Sequence, residues 1–116
     1  MRFYATMLFV LLPLGAQQAP KNLKVLTPQE YRPLMQTYVV ALGVGSQGGC
    51  NFCHVQDRSS DENPKKDIAR KMITMVKEIN AKFPPEGAKV FVTCYTCHRG
   101  KTEPEIAPPA AGQPQP

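Results

Sequence analysis

Two copies of one five-residue pattern limit what this chain can become. Cys50-Asn51-Phe52-Cys53-His54 and Cys94-Tyr95-Thr96-Cys97-His98 both read C-x-x-C-H. In that pattern two thiols three positions apart add to the two vinyl groups on one edge of a porphyrin. The histidine that follows is carried over the ring face, where its imidazole meets the iron. All four cysteines and both histidines of the chain fall inside the two motifs. The expectation is two covalently bound c-type haems, tethered by Cys50, Cys53, Cys94 and Cys97, with His54 and His98 as proximal iron ligands.

Two other uses of C-x-x-C compete. A pair of such motifs makes a four-thiolate zinc site, and a single one makes a thioredoxin-like redox centre. Neither use requires a histidine after each pair, and the redox motif belongs beside a βαβ pattern that this sequence lacks.

At 116 residues the chain is one domain with little apolar surface of its own to bury. Two porphyrins would complete its core, so the haem-free chain is expected to be largely unfolded. The formal charge of +5 invites an acidic partner or surface. Haem propionates, two per ring, would offset most of it, so nucleic acid is not an expected partner.

Met1 to Ala16 reads as a secretory signal. Arg2 gives a positive start, residues 3–14 an apolar run, and Gly15-Ala16 small residues at a cleavage point. A run of about twelve residues is short of the roughly 20 that cross a bilayer, so no spanning segment is expected in the mature chain. The domain layout is then a signal over 1–16, a two-haem domain over 17–101 and a Pro/Ala-rich disordered tail over 102–116.

Inside the domain, Thr27 with Pro28 and Glu30 predicts a helix start. Tyr31, Leu34, Met35, Tyr38, Val39 and Leu42 follow as one apolar stripe, and Gly43 is a stop. A glycine-rich turn over 45–49 brings Cys50 back beside it. A second helix is predicted from Asn63 and Pro64, with a stripe of Ile68, Met72, Met75, Val76, Ile79 and Phe83 and a stop at Pro84-Pro85. Val90-Phe91-Val92 reads as a brief strand or as packing. The organisation repeats: helix with methionine, turn, C-x-x-C-H. With no spare histidine, Met35 and Met72, one per unit, are the expected distal ligands. Met75 is expected to be packing.

The stretches Asn22-Leu23-Lys24-Val25-Leu26, Gly49 to Val55, Ala69-Arg70-Lys71-Met72 and Val92 to Gly100, with Met35, resemble the cytochrome subunit of photosynthetic reaction centres. The similarity runs from about Lys21 to Lys101 and corresponds to one two-haem half of that four-haem protein. The resemblance implies that the methionine helix before each motif supplies the sixth iron ligand, with Met72 in the family position.

The expected fold is therefore all-α, with two helix–turn–CxxCH units around two haems and little or no sheet. The expected role is an exported, periplasmic carrier of single electrons rather than an enzyme. It would act beside redox protein partners or a membrane-bound complex such as a reaction centre, at the outer face of the inner membrane. A two-haem peroxidase-like enzyme, with an open or displaceable ligand, and a zinc-stapled module are the alternatives.

Overall fold

A computed structural model describes residues 19–83, 87, 90, 92–108 and 110. The signal over 1–16, the Pro84-Pro85 stop, Phe91 and, in the tail, residues 109 and 111–116 lie outside the described residues. Those described form an all-α arrangement with no strand among them: α1 (Tyr31–Leu42), two short 3-10 turns (Gly45–Gln47 and Gly49–Phe52), α2 (Pro64–Lys82) and α3 (Cys94–His98). No described helix is long and apolar enough to cross a membrane.

The first helix starts at Tyr31, later than the cap pattern at Thr27 places it. Thr27 does collect the chain: its backbone carbonyl accepts from the N–H groups of Glu30 and Tyr31 at 3.3 and 3.2 Å, and its hydroxyl donates to Glu30 Oε2 at 2.9 Å. Residues 28–30 nevertheless remain a turn. Pro33 gives the physical reason, because its ring would clash with a helical carbonyl four residues earlier, at Gln29. At the third helical position its missing N–H costs nothing, since the first four helical N–H groups have no partner within the helix. The helix closes on Gly43 in the left-handed region, φ 64°, where a residue without Cβ is unstrained.

The second helix begins as predicted. Asn63 Oδ1 accepts from the Lys65 N–H at 3.0 Å, and Pro64 opens the first turn. Its packed side differs from the predicted stripe. Ile73, outside that stripe, is the buried residue of the helix, flanked by half-buried Ala69, Val76 and Asn80. Ile68, Met72, Met75 and Phe83 are exposed and form an adjoining apolar strip. The helix therefore has two apolar faces, one packed on other described residues and one more exposed.

The lead-in over 22–30 lies along α2, held by polar contacts. Lys77 Nζ donates to the Val25 carbonyl at 2.8 Å and pairs with Glu30, while Lys24 and Arg70 both reach Asp61 at 2.8 Å. Between the first motif and α2, Lys66 Nζ is folded into a loop. It donates to the carbonyls of Arg58, Ser59 and Ser60 at 3.0, 3.0 and 2.7 Å and lies 3.2 Å from Asp61 Oδ1. Val92 is tied to α2 by a side chain: its N–H and C=O both bond to the Asn80 amide at 2.8 Å. Among the described residues the apolar core is only Leu26, Ala41, Val44 and Ile73.

Candidate functional site

The turn before the first motif is ordered rather than loose. The Val44 carbonyl accepts from the N–H groups of both Gln47 and Gly49 at 2.9 Å, and Gly48 at φ 100° makes the reversal. Cys50 and Asn51 then lie in a 3-10 turn whose Cys50 carbonyl accepts from the Cys53 and His54 N–H groups. That tight winding brings both thiols and the imidazole into one short arc. The arc is braced from outside. Arg58 Nη1 donates to Asn51 Oδ1 at 2.7 Å and to the Val55 carbonyl at 3.3 Å. The Lys65 ammonium stands 3.9 Å over the Phe52 ring. Asn63, which caps α2 with its oxygen, donates its Nδ2 to the Phe52 carbonyl at 3.2 Å.

The second motif is itself a helix, α3. The Thr93 N–H donates to Thr96 Oγ1 at 2.9 Å across its first turn. After His98 the chain reverses through two left-handed residues, Arg99 at φ 51° and Gly100 at φ 83°. This places the Lys101 carbonyl 2.9 Å from His98 Nδ1. A carbonyl only accepts, so Nδ1 carries the proton and Nε2 keeps the lone pair that a metal needs. His54 differs: its Nδ1 is buried without a partner at hydrogen-bonding geometry. Burial, then the charges of Lys66, Arg58 and Arg70, hold its pKa below the usual value, with the Arg58 backbone opposing. These causes favour the neutral imidazole, the form that ligates iron.

The four thiols are unpaired. Burial raises the pKa of Cys53 and of Cys94. Among the described residues, which include every cysteine and histidine, no three His, Cys, Asp or Glu side chains gather into a metal-holding cluster. The geometry of a four-thiolate zinc site is not formed.

Helix α1 lies against both motifs, touching the turn Gly49–Phe52 and packing more extensively on α3; α2 also touches α3. Tyr38 on the α1 stripe has its pKa pushed up to about 12 by burial, with Cys94 nearby adding to the rise. Met35 is half-buried on that stripe. Met72 and Met75 stand one turn apart on the adjoining apolar strip of α2, 38% and 41% exposed, so accessibility does not separate them. On α1, Gln36, Thr37, Val40 and Ala41 line, with Tyr95, an open apolar concavity of about 410 Å³.

These features suit a c-type haem. Paired free thiols stand beside an imidazole with Nε2 available, and apolar helix surface next to the motifs is exposed among the described residues. Sequence reasoning did not find the braces Arg58, Asn63 and Lys101. Only Asn63 gave a local signal, as a helix cap, and that signal says nothing of its second bond.

The family profile of the photosynthetic reaction centre cytochrome C subunit matches residues 15–111. The chain belongs to that family. It is 33% identical over 91 residues to the photosynthetic reaction center cytochrome c subunit of Rubrivivax gelatinosus, covering 78% of this chain and 25% of that protein. The corresponding subunit of Thermochromatium tepidum is 35% identical over 94 residues, 79% of this chain and 23% of its own. Cytochrome c-554 of Chloroflexus aurantiacus is 44% identical over 69 residues, 55% of this chain and 16% of its own. This member of the reaction centre cytochrome family thus spans about a quarter, or less, of the length of these curated relatives. No solved structure matches it.

Proposed function

We propose that this chain is a two-haem electron carrier, exported to the periplasm, with one haem c on Cys50 and Cys53 and the other on Cys94 and Cys97. The observation that carries the reading is the fixed tautomer of His98. Its Nδ1–H is spent on the Lys101 carbonyl, which leaves Nε2 as a metal-ligating nitrogen directly after two unpaired thiols. Bound haem supplies a one-electron iron couple. The chain's own work is to hold and enclose it. The thiols would tether each ring, His54 and His98 would supply imidazoles to the irons, and Met35 and Met72 would supply thioethers. His/Met ligation raises the reduction potential.

If His54, His98, Met35 and Met72 hold the two irons, a substrate would have no iron site to occupy, and the chain's role would be outer-sphere transfer between redox proteins. Family membership supports partners of the reaction centre or another membrane-bound complex, and the signal-like segment over 1–16 supports a site at the outer face of the inner membrane. The functional unit is residues 17–101, with 102–116 as a tail.

Expression with a c-haem maturation system should give a product whose intact mass in denaturant carries two haem additions. Its spectra should be low-spin in both oxidation states, and the reduced native protein should not bind carbon monoxide tightly. A haem-free, zinc-loaded product would sink the proposal. A resting high-spin iron with fast peroxide turnover would replace the carrier with an enzyme.

A further inference from the structure

We propose that Gly43, which closes the helix of the first unit, is a positioning residue for His98 in the second. The inference rests on His98 being an iron ligand, as proposed above. The two units meet where two loops cross. The Gly100 N–H donates to the Ala41 carbonyl at 2.9 Å, and the Gly100 carbonyl lies directly over Gly43. A Cβ added at Gly43 would stand 1.9 Å from Gly100 O and 2.7 Å from Gly100 C. The obstacle is backbone, which does not swing aside as a flexible side chain would. Nor is that backbone free to retreat, since Gly100 is pinned by its bond to Ala41 on the same helix end.

The next link leads to the ligand. The peptide that carries Gly100 O joins Lys101, whose own carbonyl accepts from His98 Nδ1 at 2.9 Å. The Lys101 N–H in turn donates to the His98 carbonyl at 2.9 Å. Displacing the Gly100–Lys101 peptide therefore moves the acceptor that fixes the tautomer and orientation of the ring. In sequence Gly43 lies seven residues before Cys50, so proximity along the chain would assign its effects to the first motif. The contact assigns them to the second.

The test is Gly43→Ala beside Gly49→Ala. Gly49 sits at φ 54°, strained for any L side chain as Gly43 is, but a Cβ there meets nothing within 4 Å. In protein shown by mass to carry both haems, Gly43→Ala should shift the paramagnetic resonances of the haem on Cys94 and Cys97 and raise its potential. The rise follows because a weakened Nδ1–H bond lowers the basicity of the ligand. The haem on Cys50 and Cys53 should be unaffected, and Gly49→Ala should leave the second haem unchanged.

Unaltered second-haem resonances and potential in Gly43→Ala overturn the proposal, as does an effect confined to the first haem. If that variant does not accumulate, the unaltered holoprotein decides. Its Gly100 amide and His98 ring N–H should exchange slowly with solvent, and rapid exchange of both overturns the proposal. A wild-type product without haem would defeat the functional reading, whereas a two-haem product whose second haem ignores Gly43→Ala would defeat this proposal alone.

Discussion

Met72 and Met75 are the sharpest test at the scale of single residues. They share a face of α2 and differ little in exposure, so neither periodicity nor burial chooses between them. The family position favours Met72. Met72→Ala should lower the potential of one haem and open one iron to exogenous ligands such as carbon monoxide. Met75→Leu conserves apolar volume and should cost under about 1.5 kcal/mol of stability. Equilibrium unfolding and a redox titration of both variants check the pair. Loss of the thioether signal in Met75→Leu instead would move the ligand one turn along the helix. The six cysteines and histidines proposed to hold the haems can be read from the sequence because each motif is contiguous, whereas Met35 and Met72 rest on the repeat and on the family position. The supports of the motifs cannot be read in that way. The Lys101 carbonyl on His98 depends on two successive left-handed residues, of which Arg99 is not a glycine and gave no warning.

At the scale of elements, the boundary at Asn63 and Pro64 could be read because capping is local. The start of α1 was misplaced because the cap pattern at Thr27 outweighed Pro33. The stripe of α2 misled in another way. Period 3.6 gathers apolar residues without saying whether protein or a prosthetic group will cover them, and Ile73 lies on the protein side while Met72 does not. Asn63 joins two elements at once, since its oxygen caps α2 and its Nδ2 holds the Phe52 carbonyl. Asn63→Ala should cost about 1 kcal/mol from the cap, plus the loss at the motif. Asn63→Asp keeps the cap oxygen and removes the donor to Phe52. Denaturant midpoints of the two variants separate these jobs, and Asn63→Asp should fall between wild type and Asn63→Ala. Equal losses would show that only the motif contact matters.

Among the described residues, polar clasps join elements that share few buried apolar residues. Asp61 accepts from Asn22, Lys24 and Arg70 at 2.8–2.9 Å and joins the lead-in to α2. The Lys24 bond, then those of Arg70 and Asn22, hold its carboxyl well below the usual carboxylate range. A depressed folded pKa means that this stabilisation is complete above the unfolded value, near about 3.9. It is lost as pH falls from there through the lower folded value. Holoprotein stability contributed by this clasp should therefore be level from neutral pH to about 5 and decline below about 4. Asp61→Asn should be less stable at neutral pH and should show a shallower acid decline, read from thermal midpoints across pH. Parallel acid profiles for the two proteins would show that the clasp contributes nothing.

Lys66 gives the loop after the first motif a property that loops built around inorganic cations lack. Its ammonium sits among three carbonyl oxygens and a carboxylate, the donor types that calcium also takes but fewer than the roughly six to eight it gathers. Here the cation is covalently part of the next helix, so its local concentration is set by a short tether and not by the surrounding fluid. Chelators cannot strip it, and a change in external divalent ions does not empty it. The segment that shapes the surroundings of His54 is thereby uncoupled from the ionic supply of the compartment in which the protein works.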